Sequence, residues 1–421
     1  MSQAPPAHAT RAGATESDVV GDEKPDSRSP IERFRTAPKK SLSVTDLVSP
    51  AWCELQYWYA LSTRGKPKQT KAMQEGSVVH KELENQVYTT VKVEIATKED
   101  GWGLRIWNVI QGLRTLQEIG YTREIEVWGT VDGLVVNGVI DELSFTCPDP
   151  ELEAQLENRQ TPDKDELPAD QTTITNFFKA SRNTSITDAM GSKMHGLAKK
   201  VYICDIKTRL NRRLPTGAAI RPTKMQLMTY HHLLSNLVTN QVDFEVLLNR
   251  HDLDGDKPFS DSFIAKIGNL NEGIPFDSPL GAIGDSSSPS SQDSTTVLLE
   301  HNSLRQLWSF MIKTYQRLLP GGRDSIGNVL RVEYRSRDDG EVLGSSTLAM
   351  DESALKLYLD HELKWWKGER EPLGVVIEEA YKCKTCDYAD ICDWRRERVA
   401  EATEKARANK KAIGKLKKWQ V

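Results

Sequence analysis

The chain has 421 residues, of which 38% are hydrophobic and 28% charged. That composition excludes fibrous and wholly disordered classes and leaves room for one large globular domain or two smaller ones. No apolar run approaches the roughly 18 residues of a membrane span, so no membrane partner is expected; a net charge of −4 argues neither for nor against nucleic acid.

Residues 1–40 place Arg11, Arg28, Arg33 and Arg35 among Ser and Ala, which suggests a transit peptide, but Asp18, Asp22, Glu23 and Asp26 do not suit one. The segment is predicted to be a disordered leader. Val79, Leu83 and Val87 predict an amphipathic helix over Met73–Thr90, and Ile106, Val109, Ile110, Leu113 and Leu116 predict another over Leu104–Ile119. From Thr122 to Phe145 short β-type runs are punctuated by Gly129, Gly133 and the Asn137-Gly138 pair, predicting a β-meander. Residues 147–197 are polar, acidic at first (Glu151, Glu153, Glu157), and are predicted to be a disordered insertion that interrupts the sheet. Val201–Lys207 reads as a further strand.

Helical spacing returns over Thr223–Leu237, and residues 275–296, with their serine string from Ser286 to Ser291, are predicted to be a second disordered insertion. Ser303 is a predicted N-cap for a helix through Leu318; strands are predicted at Val329–Tyr334 and Ser345–Met350, and Asp351 caps a helix to Trp366. Residues 395–421 form a basic tail, with ten Lys/Arg against three Glu between Arg395 and Lys418. The order, helices then strands then helices, predicts an α/β core: a central mixed sheet flanked by helices, with helical elaboration.

Asp141 closes the apolar run Gly138-Val139-Ile140, and Asp205 sits two residues before Lys207, so Asp205 and Lys207 share one strand face. Such groups on an otherwise apolar strand are paired, solvated or used. An isolated D-x-K is most often an ordinary salt bridge. Two acids and a lysine are also the minimum set for phosphodiester hydrolysis, in which carboxylates hold Mg²⁺ or Mn²⁺ and the ammonium stabilises developing charge. His80, in Gly76-Ser77-Val78-Val79-His80, is a further candidate ligand, and Gln226 and Tyr230 lie at i and i+4 on one helix face.

Six cysteines without a signal-peptide core argue against a secreted disulfide framework and for a reducing compartment. Cys383-x₂-Cys386-x₅-Cys392 is a tight triplet that needs a fourth ligand, for which Cys53 is the best candidate. Spacing alone divides evenly between zinc and iron–sulfur. Cys147 and Cys204 lie outside the pattern.

In chain order, G-x-x-x-H, G-x-x-D, D-x-K and Q-x-x-x-Y resemble the motifs of RecB-type nucleases of the PD-(D/E)xK superfamily. Ser43–Leu47 with Trp52–Gln56, Gly138–Glu142, Asp205–Arg209, Gln226–Leu234 and Tyr381–Trp394 are more specifically similar to the exonuclease V family. The resemblance spans residues 41–394, taken as one RecB-like nuclease domain. It implies that His80, Asp141 and Asp205 bind Mg²⁺ (or Mn²⁺) together with the Ile206 carbonyl, that Lys207 is the catalytic lysine, and that Gln226 and Tyr230 support the site or position DNA. It also implies that Cys53, Cys383, Cys386 and Cys392 hold a 4Fe-4S cluster joining the two ends of the domain. Arg209, Arg213 and the basic tail are candidate phosphate contacts, and Trp52, Trp58 and Trp102 are candidate base-stacking residues, although a core role suits most tryptophans.

The resulting expectation is a metal-dependent exonuclease of single-stranded DNA, a monomer working in genome maintenance in the mitochondrion or nucleus, with a single-stranded-DNA-binding protein as partner. A non-catalytic cluster-stabilised DNA-binding module, and a structure-specific endonuclease or RNase on the same fold, are the alternatives.

Overall fold

The computed structural model describes residues 26–88, 93–160, 199–272 and 294–418. Six strands form one mixed sheet: β1 (Leu42–Ser43), β2 (Tyr121–Val131), β3 (Leu134–Ser144), β4 (Tyr202–Arg209), β5 (Val329–Ser336) and β6 (Val342–Ala349). β3 organises it. One edge pairs antiparallel with β2; the other pairs first with β1, in parallel at Val136 and Asn137, then with β4, antiparallel from Glu142 to Ser144. Between these two partners Gly138–Asp141 have no strand neighbour on that edge. β4 continues parallel to β5, and β5 antiparallel to β6.

The expected three-strand meander is a single long hairpin. Asp132 (φ 49°) and Gly133 (φ 77°) both occupy the left-handed region, as a two-residue type I′ turn requires. The Asn137-Gly138 pair, read as a turn, lies inside β3. Gly138 is needed there for another reason: a Cβ would stand 2.6 Å from Tyr230 Cε1 and 2.8 Å from Val44 Cγ2. Gly138→Ala is therefore expected to lower stability by about 1–3 kcal/mol, read as a reduced urea midpoint at unchanged slope.

The longer helices are α1 (Glu54–Arg64), α2 (Lys71–Asn85), α3 (Lys98–Ile119), α4 (Arg221–Val238), α5 (Leu304–Leu318), α6 (Glu352–Trp366) and α7 (Asp393–Lys418), of which α2, α3 and α4 pack on the sheet. α4 crosses one face, contacting β2, β4 and β5, while α3 packs on β2 and α5. α2 covers the other face of β4 through Val79 and Leu83 against Cys204 and Ile206. A Cβ at Gly76 would meet Thr208 Oγ1 at 2.8 Å, so this glycine sets how closely α2 approaches β4. Ser303 and Asp351 cap α5 and α6 through hydrogen bonds to Gln306 N and Ala354 N.

Parts of the expected disordered stretches are ordered. Residues 1–25 lie outside the described residues, but Ser29 opens a capping box on the helix Pro30–Phe34, and Arg35 forms a two-point ion pair with Asp46. Within 147–197, Pro150–Gln160 is helical and the rest from 161 lies outside the described residues. Its Glu153 is buried, accepting from Val329 N at 2.9 Å, Asn328 N at 3.2 Å and Lys200 Nζ at 2.9 Å. The segment is predicted to be disordered, whereas this acid satisfies backbone amides at the start of β5 and orders its helix. Of 275–296, residues 275–293 lie outside the described residues and Ser294 begins the helix Ser294–Glu300. The basic tail to Lys418 is a continuation of helix α7.

Candidate active site and cysteine pocket

The register of β3 on β4 pairs Glu142 with Cys204; one step further, Asp141 faces Asp205, although 64 residues separate them (205 − 141). At this step the ladder ends, and Asp141 Oδ2 instead accepts a 2.6 Å bond from Ile206 N. The two acids thus meet where β3 and β4 part.

Asp205 is 1% exposed. Its Oδ1 accepts from Lys207 Nζ at 2.9 Å, and Oδ2, also 2.9 Å from that ammonium, has no hydrogen bond of acceptable geometry. Burial pushes its carboxyl up to about 6, against the attraction of Lys207. Burial likewise raises Asp141, opposed by Lys207 and His80. For Lys207 burial acts downward, but the two aspartates outweigh it and hold the ammonium above the ordinary lysine value.

Gln226 Oε1 accepts from Lys207 Nζ at 3.0 Å, and Gln226 Nε2 donates to the Tyr230 hydroxyl at 3.2 Å. This relay from α4 fixes the lysine from behind. It also explains the i, i+4 spacing of Gln226 and Tyr230.

On the α2 side, His80 Nε2 is 3.1 Å from the Ile206 carbonyl, and its Nδ1 lies 3.6 Å from Glu124 Oε1 and 3.9 Å from Asp141 Oδ1. The adjacent Glu124 carboxylate raises the imidazole above its ordinary value. His80, Glu124 and Asp141 bring ligand atoms within 4.8 Å of one another, the one group of this kind among the described residues. Carboxylate oxygens with one imidazole form a donor set that suits Mg²⁺ or Mn²⁺.

Glu124 was not singled out in the sequence. A non-glycine residue at φ 53° inside a strand, it lies opposite Asp141 in the hairpin register, between the Arg123–Glu142 and Ile125–Ile140 pairs. The alternation of buried positions changes phase at this rung, from even (Thr122) to odd (Ile125, Val127) along β2 and from even (Gly138, Ile140) to odd (Leu143) along β3. The usable signal was the Asp132-Gly133 turn, which sets that register.

Arg209 ends β4 with its guanidinium 5.9 Å from the Tyr334 ring centre, and Arg213 is exposed in the loop beyond. Trp102 is buried against Trp128 in the core, and Trp58 packs edge-on against Trp365 and Phe34. Trp52 lies under the Lys382 ammonium at 4.3 Å.

Cys53, Cys383, Cys386 and Cys392 line a single pocket with Tyr59, Lys382 and Trp394, and no disulfide joins them. Cys53 is the N-cap of α1, Cys383 lies in a 3₁₀ segment that ends at Thr385, and Cys392 immediately precedes α7. Four thiols converging from positions 330 residues apart (383 − 53) form a soft donor set fit for iron–sulfur or zinc. Burial pushes the Cys53 thiol up to about 11, with the other three cysteines adding to the rise. Cys147 and Cys204 stand apart; Cys204 packs against α2.

Behind the pocket, Glu54 is gripped by Arg370 at 2.6 and 2.7 Å, and buried Glu362 leaves Oε2 without a partner. Burial, reinforced by Glu54, pushes Glu362 up to about 8. An acid held above its unfolded value of about 4.3 favours the fold only while protonated, so stability falls as pH rises between these values, by about 1.4 kcal/mol per pH unit. Melting temperatures from pH 6 to 8 are expected to fall for the wild type and to fall less for Glu362→Gln; parallel curves would show that Glu362 does not carry the charge change.

These features define a class: a mixed α/β protein with an acidic centre and one lysine where two strands of its sheet separate. The family model described as "Exonuclease V - a 5' deoxyribonuclease" matches residues 29–395, and the chain belongs to the exonuclease V family. It is similar to Exonuclease V of Danio rerio, 26% identical over 382 residues, covering 90% of this chain and 75% of the relative. It is also similar to the proteins named "Exonuclease V, mitochondrial" of Eremothecium gossypii (26% over 441 residues, covering 85% and 77%) and Candida glabrata (24% over 437 residues, covering 86% and 81%).

Proposed function

We propose that the chain is a divalent-metal-dependent exonuclease of single-stranded DNA built on a RecB-type PD-(D/E)xK core. Membership of the exonuclease V family makes it a DNA exonuclease; the finer reading rests on the site. The observation that carries it is the end of the β3–β4 ladder, where Asp141 faces Asp205, Asp141 is pinned by Ile206 N, and Lys207 holds Asp205.

His80, Asp141, Asp205 and the Ile206 carbonyl are the proposed ligands; Glu124 stands with His80 and Asp141 in the one close group among the described residues, and Asp205 lies outside it. A divalent ion held there would neutralise the scissile phosphate and acidify a water. Lys207, kept cationic by the aspartates and aimed by Gln226, stabilises charge developing on the phosphate. Tyr230, whose hydroxyl burial keeps protonated, holds Gln226 in place. His80 can offer Nδ1, which faces Glu124 and Asp141, while Nε2 keeps its contact with the Ile206 carbonyl; only the neutral imidazole ligates, so a lower pH opposes metal binding.

We assign the four-cysteine pocket to a 4Fe-4S cluster, which would clamp the start of α1 to the C-terminal segment. The mitochondrial names of the yeast relatives support a mitochondrial location.

The test uses single strands labelled at one end and blocked at either end, with and without Mg²⁺, beside duplex and RNA competitors. Release of short products from an unblocked single-strand end, dependent on Mg²⁺, is expected. Tight binding of single strands without any cleavage, under every divalent ion tried, would refute the proposal.

A further inference from the structure

A cleft of about 1330 Å³ opens beside the β2–β3 hairpin, and its walls are rich in cations. Arg35, Lys39, Lys40, Lys66, Arg105 and Arg250 line it, with Asp46 and Asp252 as the acids. Both acids are already engaged: Asp46 pairs with Arg35, and Asp252 with Lys98 at 2.7 Å. Arg105 in turn is held by Glu126.

Lys39, Lys40, Lys66 and Arg250 remain without an ion pair among the described residues. Arg250 spends its donors on backbone, the carbonyls of Arg35 and, at 2.9 Å, Lys39. It thereby braces the loop that presents Lys39 and Lys40. Burial without a carboxylate pulls its pKa down. Four uncompensated cations around one concave surface favour an anion with several charges.

One strand, β3, joins the cleft to the acidic centre. Asn137 lines the cleft, and Asn137, Val139 and Asp141 are partly exposed while Gly138 and Ile140 between them are buried. Positions i, i+2 and i+4 share one strand face, so Asp141 lies on the same face as the cleft residue Asn137, four residues or about 13 Å further along β3.

We propose that this cleft carries phosphates of the same DNA strand whose scissile bond sits at Asp141 and Asp205, a backbone-tracking subsite that reads no bases. The inference rests on the nuclease reading of that centre. Continuity with the strand bearing Asp141 favours a nucleic-acid strand over an acidic peptide.

The test is the full chain carrying Lys39→Ala, Lys40→Ala and Lys66→Ala, compared with Lys313→Ala, Lys356→Ala and Lys364→Ala, three exposed lysines outside the cleft. Binding of a labelled oligo-dT of about 30 nucleotides is titrated against NaCl with EDTA present, so that no hydrolysis intervenes. Each phosphate contact adds about 0.7 to the salt slope, so loss of three should reduce it by about 2 and weaken binding on the order of 100-fold at 0.1 M salt. The control variant should match the wild type, and all three proteins should melt together because the lysines are exposed.

A slope and affinity equal to the control's would overturn the proposal. The wild type is assayed for Mg²⁺-dependent cleavage in parallel. Strand binding lost with the cleft lysines but no cleavage by the wild type removes the nuclease reading and leaves the cleft; cleavage with an unaltered triple variant does the reverse.

Discussion

Asp205→Asn is expected to cut Mg²⁺-dependent release of nucleotides from single-stranded DNA by at least about 10³-fold, roughly 4 kcal/mol of barrier, while leaving the fold intact. The amide keeps the carboxylate's shape but cannot carry its charge. Asp205 is buried and its pKa is pushed up to about 6, so its ionised form is a cost to the metal-free protein at neutral pH. The variant should therefore melt no lower than the wild type above pH 6, separating loss of chemistry from loss of structure. Nucleotide release within about ten-fold of wild type would take Asp205 out of the reaction. Glu124→Gln measured alongside sorts the ligands: a loss as deep as that of Asp205→Asn places Glu124 among the metal's holders, and a shallow one leaves it as the partner that orients His80.

The second large effect is on the cysteine pocket. The wild type, purified without air, is expected to be brown and to hold iron and inorganic sulfide, and Cys386→Ser to lose all three and with them the clamp between α1 and the C-terminal segment. A covalent link across so long a loop is worth up to about 5 kcal/mol, and its loss should lower the melting temperature by about 10 °C. Cys147→Ser, outside the pocket, should do neither. A colourless wild type that holds zinc and cleaves DNA at full rate would defeat the iron–sulfur assignment while leaving the acidic centre untouched.

Much of the frame was legible in the residues because it depends on local signals. Helix α5 begins at its serine cap and α6 at its aspartate cap, as read, since a side-chain oxygen bonding the first free amides is a matter of three or four neighbouring residues. The Asp205–Lys207 pairing was likewise local, two positions on one strand face. The turn of the β2–β3 hairpin was misplaced because Asn137-Gly138 and Asp132-Gly133 are equally good turn pairs locally. Tyr230 and Val44 closing over Gly138 settle which one remains extended. The ordered helix in 147–160 was missed because Glu153 finds its partners in Asn328 and Val329, far along the chain.

The sequence by itself determined which chemical groups are available: hard acids with one lysine on strands, four thiols at the two ends of a domain, and glycines spaced where side chains do not fit. Only the tertiary structure decided that Asp141 and Asp205 are neighbours, that Glu124 stands beside His80 and Asp141 and that four cations without an ion pair among the described residues share one cleft. The physical reason is that residue type and spacing govern short-range bonding, whereas register, burial and the dielectric around a charge arise only when distant segments pack together.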